Sequence, residues 1–395
     1  MRRFRNASHA LTELSVAAAD RARISSYTHN FYRYPARFSA KFAAAAINCF
    51  SRPGDLIADP YMGGGTVVVE ALAAGRRVIG NDLNSLAVFV ARAKTTPLTN
   101  REVNAIRQWI SDVCSSTSYA VPSGIVPSRE RTRNLSIPRG RFIKKVIALK
   151  LGRLHELPTP SARRFARCVI LRAGQSALDG RRTHTSLREF RLRLQAMADE
   201  MLLALVAFHR TTGEHFEDVR NARVLCLGDA ADIHALNIFT KSRRRVSLVV
   251  TSPPYPGVHV LYHRWQVDGR KESPAPYWII DGRDGESAFY HTFGDRRQSA
   301  IDEYFVRSLQ TLRSIRRIMR RGAVMVQLVA FANPTLRLAR YLENMALADF
   351  EEVTFPELAS FDQRIWRDVP NRKWHAARKG LTSSAREVVL IHRAI

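Results

Sequence analysis

Cysteine is scarce in this chain. Cys49, Cys114, Cys168 and Cys226 are its four, far apart and with no C-x-x-C pair among them. That spacing excludes a disulfide framework and a cysteine-built zinc site, and it suits a reducing compartment, so a cytoplasmic setting and no metal are expected. Long apolar runs are missing too. None approaches the roughly 18 residues of a membrane span. Residues 1–24 are arginine-rich, and Glu13 interrupts their one short apolar stretch, so no secretory core is present and a basic N-terminal tail is expected. Acidic residues are the third shortage: 35 against 62 lysines and arginines, a formal net charge of +27 spread along the whole length. Self-repulsion of this size opposes compactness unless a polyanion offsets it, so a nucleic-acid partner is expected.

What is present is an alternating pattern of short apolar strands and longer helices. With 395 residues, 46% of them hydrophobic, the chain can bury one large α/β core carrying an insertion. Ala40 to Phe50 reads as a helix stopped by Ser51-Arg52-Pro53-Gly54. A strand, Leu56 to Ala58, then runs into Asp59 and Pro60, and a glycine loop precedes the helical stretch Thr66 to Ala74. A second strand, Arg77 to Gly80, ends at Asn81-Asp82 and is followed by a helix from Ser85 to about Ala93. From residue 96 to 223 no strand is convincing; the segment reads as an inserted helical region whose basic residues outnumber its acidic ones about two to one. Its clearest helix, about Ser186 to His209, repeats apolar residues at spacings of three and four.

Strands return at Val224 to Leu227, ending in Gly228-Asp229, and at Val246 to Val250, ending in Thr251-Ser252-Pro253-Pro254-Tyr255. A helix over Ser299 to Arg321, a strand over Ala323 to Phe331, a helix over Pro334 to Ala348 and two last strands near Glu352 to Phe355 and Glu387 to His392 complete the pattern. The expected fold is a doubly wound, Rossmann-like α/β sheet of about seven strands, with residues 25–95 and 224–395 as its halves. Because the last two strands lack a helical crossover, an antiparallel edge strand is expected.

Two corners carry chemistry. In Asp59-Pro60-Tyr61-Met62-Gly63-Gly64-Gly65-Thr66, glycines at the carboxyl end of a first strand let a ligand approach the backbone, and Asp82 at the end of the next strand can accept bonds from ribose hydroxyls. The same loop also reads as a tight turn with a capping aspartate. A dinucleotide fingerprint is not met, since Val68 stands where the third glycine of G-x-G-x-x-G would fall. In Ser252-Pro253-Pro254-Tyr255, two prolines stiffen an extended backbone and remove two amide donors, which leaves carbonyls to accept from an amino group. Ser252 adds a hydroxyl acceptor, and Tyr255 adds a flat face for stacking a base. Taken alone, this is a proline-rich loop leaving a strand.

Together the two corners resemble those of amino-group DNA methyltransferases. Asp59 to Thr66 is similar to their loop D-P-x-x-G-x-G-T, and Ser252 to Tyr255 is similar to their (S/D/N)-P-P-Y motif. Residues 28–38, T-H-N-F-Y-R-Y-P-A-R-F, resemble the H-x-x-x-x-Y-P-A-K/R-F stretch that precedes that loop. The resemblance implies S-adenosylmethionine as cofactor, held by Asp59, Pro60, Gly63, Gly65 and Thr66, with Asp82 on the ribose and Asp229 near the adenine. It also implies that His29, Pro35 and Phe38 enclose the methionine end. Ser252, Pro253, Pro254 and Tyr255 would be the catalytic corner, acting on a base flipped out of duplex DNA. Serine before Pro-Pro-Tyr favours cytosine N4 over adenine N6. Cytosine C5 chemistry is disfavoured because no cysteine here follows a proline. A guanine-N2 type RNA methyltransferase and a non-catalytic DNA-binding defence component are the rival readings. A cognate restriction endonuclease would be a natural companion, and no membrane is involved. Two mixed clusters of aromatics and cations, around His259, His263, Trp265, Arg270, Tyr277 and Trp278 and around Arg364, Trp366, Arg372, Lys373 and Trp374, are candidate nucleic-acid contacts. The arginines Arg129, Arg131, Arg133, Arg139 and Arg141 are candidate phosphate contacts of the insertion.

Overall fold

The computed structural model describes residues 7–20, 22, 26–34, 38–115, 135, 138–180, 185–255, 265–267, 270–272, 274–282, 298–331, 334–358, 362–368 and 386–395. Pro35, Arg129, Arg131, Arg133, His259, His263, Arg372, Lys373 and Trp374 lie outside the described residues, as does the side chain of Arg139. In chain order the strands are β1 (Leu56–Asp59), β2 (Arg77–Asp82), β3 (Arg223–Leu227), β4 (Val246–Thr251), β5 (Trp265–Val267), β6 (Arg270–Glu272), β7 (Met319–Val329), β8 (Phe350–Glu352), β9 (Ile365–Asp368) and β10 (Arg386–Ala394). The helices are α1 (Ala7–Ala19), α2 (Ala40–Phe50), α3 (Thr66–Ala73), α4 (Ser85–Thr95), α5 (Asn100–Ser115), α6 (Pro138–Gly152), α7 (Pro160–Leu178), α8 (Leu187–Gly213), α9 (Asn237–Thr240), α10 (Pro274–Ile280), α11 (Gln298–Ile318) and α12 (Pro334–Leu347).

Eight strands form the main sheet, in the order β3-β2-β1-β4-β7-β10-β8 with β9 also paired to β10. β3 through β7 in that order are parallel; β10 is antiparallel to β7, β8 and β9. The period-2 alternation of a strand divides their side chains cleanly between two cores. Ile57, Val78, Leu248, Val250, Val326 and Ile391 face one apolar cluster, shared with α2, α3, α4 and the inserted helices. Ala58, Ile79, Val249, Met325 and Leu390 face the other, under α11 and α12. Helices on both faces of a mostly parallel sheet make this a doubly wound α/β fold, as the sequence pattern predicts.

The expected antiparallel edge strand is β8, paired to β10, while β10 itself lies between β7 and the pair β8 and β9, with its run Val388 to Ile391 buried on both faces. Two features differ from expectation. Residues 7–19 are not a loose tail, because α1 packs on α2 and β9 with Leu14 fully buried. The small antiparallel pair β5 and β6 was not anticipated; the two strands are too short to carry a pattern. The insertion contains α5 to α8, and α7 at its centre packs against α4, α5, α6, α8 and α10, so it shares the core of the sheet's first face. No helix among the described residues is long and apolar enough to cross a membrane.

Candidate functional site

The parallel strands β1, β2 and β4 all deliver their carboxyl ends to one edge of the sheet, and there the two motif corners meet. Asp59, the last residue of β1, is 3% exposed. Its Oδ1 accepts from the Thr251 hydroxyl at 2.7 Å and from the Tyr61 amide at 3.2 Å. Thr251 is the last residue of β4 and leads directly into Ser252-Pro253-Pro254-Tyr255. One hydrogen bond thus ties the glycine-loop aspartate to the strand that carries the Pro-Pro-Tyr corner. Burial pushes the Asp59 carboxyl from its ordinary 3.8 up to about 7, the Asp82 charge adds to the rise, and the bonds from Thr251 and Tyr61 oppose it.

The loop after Asp59 needs backbone that only glycine adopts easily. Gly63 (φ 47°) and Gly65 (φ 74°) are both left-handed, and Gly65 caps α3, placing Thr66 as its first residue. A Cβ on Gly65 would stand 3.0 Å from the Ala91 Cβ of α4, so this glycine also permits close helix packing. At Gly63 the nearest atoms are those of the Tyr34 ring, which roofs the loop. The Gly63 amide donates to Asp82 Oδ2 at 2.8 Å, and the Asn84 amide donates to Oδ1 at 2.9 Å. Asp82 is therefore the anchor of the loop as well as a candidate ribose acceptor. Burial lifts its carboxyl to about 6 against the lowering effect of these amides.

Neither Asp59 nor Asp82 is paired with a lysine or arginine among the described residues. One buried and one half-buried carboxylate, both short of positive charge beside a left-handed glycine loop, fit a ligand that is itself cationic and carries hydroxyls. Pro60 is buried, and its carbonyl accepts weakly from Asn81 Nδ2 at 3.4 Å. Asp229, after β3, is exposed and caps the following 3₁₀ turn by accepting from the Ala231 amide at 2.9 Å, so it stands at the margin of the site.

His29 is buried, with Nε2 2.6 Å from Glu70 of α3, which pins residues 28–34 beside the loop's helix. Phe38 packs on Phe42. From the two aromatic clusters, Trp265 donates to the Tyr32 hydroxyl at 2.9 Å and Tyr277 donates to Asn84 Oδ1 at 2.9 Å, both buried, so these two build structure instead of an open surface. Trp366 likewise donates to Asp362, and Arg364 pairs with Glu352. Two residues near the loop had no motif to reveal them. Lys94 of α4 is fully buried and donates from Nζ to the Gly64 carbonyl at 2.6 Å. Asn81 donates to the Gly228 carbonyl at 2.9 Å while its own carbonyl accepts from Met62, linking the ends of β1, β2 and β3.

At the Pro-Pro-Tyr corner, the Ser252 hydroxyl lies 3.1 Å from the Leu328 carbonyl of β7 and 3.1 Å from the Tyr255 hydroxyl. The Tyr255 hydroxyl donates to Glu387 Oε1 at 2.7 Å. Glu387, on β10, is buried, and its other oxygen accepts from Arg367 of β9 at 2.8 Å. Tyr304 of α11 donates to the Pro254 carbonyl at 3.1 Å. Pro253 is buried, and among the described residues its carbonyl accepts no hydrogen bond. Its neighbours Tyr61, Tyr304, Ser308 and Gln327 line a small cavity behind the corner. No group of three or more metal-ligating side chains occurs among the described residues.

Residues 18–91 match the family model described as DNA methylase. A segment of 89 residues is 37% identical to Type II methyltransferase M.MvaI of Kocuria varians, which amounts to 22% of this chain and 19% of that protein. The chain thus aligns with only about a fifth of the curated relative's length. Among solved structures, the rRNA methyltransferase AviRa of Streptomyces viridochromogenes aligns over 99% of this chain and 94% of its own at 11% identity, with a TM-score of 0.36. TrmN of Thermus thermophilus aligns over 91% of this chain and 49% of its own at 10% identity, with a TM-score of 0.35. Likenesses this remote bear on neither substrate nor reaction.

Proposed function

We propose that this chain, similar over residues 18–91 to a DNA methylase family, methylates the exocyclic amino group of a base in DNA, favouring cytosine N4. The observation that carries the reading is the Thr251 to Asp59 hydrogen bond, which holds the glycine-loop corner and the Pro-Pro-Tyr corner side by side. S-adenosylmethionine, the methyl donor, supplies an electrophilic methyl on a sulfonium centre. Asp59, Pro60, Gly63, Gly65 and Thr66 would hold its amino-acid end and Asp82 its ribose, with Asp229 reaching the adenine from the margin.

The remaining work falls to this chain's own groups. Transfer to an amine needs no covalent enzyme intermediate; it needs the nitrogen lone pair freed from the ring and aimed at the methyl. The Pro253 carbonyl is free to accept one amino hydrogen. Ser252 has one hydroxyl proton to give, and the Leu328 carbonyl is within its reach, so its lone pairs remain to accept the second. As the nitrogen becomes tetrahedral, both acceptors stabilise the charge it gains, and its surplus proton passes to solvent. Tyr255 would form the stacking face for a base flipped out of the duplex. The Glu387 carboxylate holds that ring by its hydroxyl. Serine at position 252 is the feature that favours cytosine N4 over adenine N6.

Methyl transfer from a radiolabelled donor to duplex DNA, followed by mass spectrometry of the nucleosides, tests this directly. N4-methylcytosine is the expected product. Label appearing in RNA but not in DNA would overturn the assignment, and N6-methyladenine would correct the base while leaving the chemistry intact. A companion endonuclease cutting the same unmethylated sequence is expected under this reading.

A further inference from the structure

Arginines gather at the amino ends of β4 and β7, the end of the sheet opposite the two motif corners. Residues 241–245, Lys-Ser-Arg-Arg-Arg, lead from α9 into β4 and are all exposed. The Ser242 hydroxyl holds this loop in shape, donating to the Ile238 carbonyl at 2.5 Å and accepting from the Arg244 amide at 3.3 Å. Val246, the first residue of β4, pairs with Met319, the first residue of β7, so Arg245 and Arg320 flank one paired position on neighbouring strands. Adjacent strands lie about 4.8 Å apart, which makes the loop and the start of β7 a single surface.

β7 departs from regular pairing at this point. While β4 advances from Val246 to Leu248, β7 advances from Met319 to Val324. The surplus residues loop out as a bulge: Arg320, Arg321 and Gly322 are exposed, whereas Met319 and Ala323 on either side are buried. Gly322 is left-handed (φ 75°), and a Cβ built on it would meet nothing within 4 Å, so the bulge stands clear of the fold. Bulges re-aim side chains, and this one presents two consecutive arginines beside the Arg243-Arg244-Arg245 run.

Their charge is scarcely offset within the chain. Among the described residues, Arg243, Arg244, Arg245 and Arg321 form no ion pair, and Arg320 alone approaches a carboxylate, Asp55, at 4.0 Å. Asp55 is itself occupied, accepting from the Ser247 hydroxyl at 3.0 Å and from the Arg52 amide at 2.9 Å. The exposed acids Asp349 and Glu351 lie on the β8 side, across β7 and β10 from the loop, and Glu351 has Arg393 as its own partner at 3.9 Å. Guanidinium forks match the oxygens of phosphate, and a group of them on a loop and a bulge fits a backbone that carries a phosphate at every step.

We propose that Arg243, Arg244, Arg245, Arg320 and Arg321 form a second DNA-binding surface, which grips the backbone of a duplex segment other than the one seated at the methyl-transfer corner. From Val246 to Thr251, β4 rises roughly 17 Å at about 3.3 Å per residue, and its two ends face opposite ways. One straight duplex lying across the Ser252 corner therefore cannot also touch this patch. Holding two segments at once lets the chain pass from one to the other without leaving DNA. The choice of DNA as occupant rests on the proposed reaction; the surface itself does not.

The test asks whether the chain bridges two duplexes. A duplex fixed to beads is loaded with the full chain, washed, and offered a second, fluorescent duplex of the same sequence. The comparison is an Arg243→Gln/Arg244→Gln/Arg320→Gln/Arg321→Gln variant. All four side chains are exposed, so its melting temperature should stay within about 2 °C of the parent. The parent should capture the second duplex, less so as salt is raised, while the variant should still load on the beads and lose about four-fifths or more of the capture. The rate of methylation of a short duplex should be the same in both proteins, and a fall in the variant would overturn the separation of the patch from the corner. Undiminished capture by the variant, as self-association of the chain would give, or no capture by the parent, would overturn the proposal. In a parallel arm, vesicles of equal parts phosphatidylcholine and phosphatidylserine replace the second duplex; uptake of vesicles but not of duplex by the parent would assign the patch to an anionic membrane and likewise overturn it. Absence of methyl transfer by the parent would overturn the proposed reaction and leave the bridging result readable.

Discussion

Removing the Tyr255 ring and removing only its hydroxyl should have separable consequences, and the difference rests on Glu387. Tyr255→Ala deletes the face on which a flipped base would stack, about 1–3 kcal/mol per base in single-strand recognition, so methylation should fall at least about tenfold. Cofactor affinity should hardly change, because the loops after β1 and β2, not this corner, would carry the donor. From the sequence alone, Tyr255→Phe is expected to keep much of the activity, since the ring remains. The structure alters that expectation. The phenol donates to a buried carboxylate at 2.7 Å, and a hydrogen bond to a charged group contributes about 1.5–3 kcal/mol. Without it, Glu387 keeps only Arg367 among the described residues, and the phenyl ring loses a contact that helps fix its orientation relative to Ser252 and Pro253. Tyr255→Phe should therefore lose roughly tenfold in kcat and also lower the melting temperature, because the buried carboxylate loses one of its partners. The assays are calorimetric titration with the donor and initial rates with a radiolabelled methyl group. Full activity in Tyr255→Ala would refute the placing of the base at this corner. Full activity in Tyr255→Phe would show that the bond to Glu387 does not position the ring.

Two further outcomes follow from the cofactor side. Asp82→Ala should weaken donor binding by about 1.5–3 kcal/mol for the charged acceptor lost, and it should also lower the melting temperature, because the Gly63 and Asn84 amides lose their partner; an affinity unchanged in calorimetry would leave Asp82 with the loop-anchoring role alone. Asp59 predicts a pH dependence: with its carboxyl raised from 3.8 to about 7, the folded chain holds a proton that the unfolded chain has released between those values. Its contribution to stability accordingly falls as pH rises through that window, by at most about 1.4 kcal/mol per unit. A cationic donor binds the ionised form, so the melting-temperature gain from S-adenosylmethionine should grow from pH 6 to pH 8, and a gain independent of pH would remove Asp59 from the donor's surroundings.

Much of the site was legible because its parts are local. Left-handed backbone after a strand calls for glycine, and Gly63 and Gly65 supply it where a ligand loop must turn into α3. The prolines of Ser252-Pro253-Pro254-Tyr255 announce an extended corner whatever surrounds it. What could not be read is everything that acts across the sequence. Glu387 meets Tyr255 only because β10 inserts beside β7, and Lys94 meets Gly64 only because α4 folds back on the loop. Neither residue sits in a pattern of its own. Residues 7–19 passed for a basic tail because the arginines around them set the composition, while the packing surface of α1 is built from small residues and Leu14.

The position of β10 follows from a signal present in the sequence. An edge strand with one face in water alternates apolar and polar residues, whereas a strand covered on both faces needs apolar residues in succession. Val388-Val389-Leu390-Ile391 is such a succession, and in the fold Val388 and Leu390 join one core while Val389 and Ile391 join the other. The missing helical crossover correctly implied an antiparallel strand, but it says nothing about where in the sheet that strand lies. Its interior position brings Glu387 to the mouth of the sheet, one residue beyond the Val388–Val329 pair and next to the Ser252 corner. A polar residue at the start of an otherwise apolar interior strand is costly unless it has partners. Here Tyr255 and Arg367 are those partners, so the burial pattern of β10 and the geometry of the candidate base-binding corner have the same physical origin.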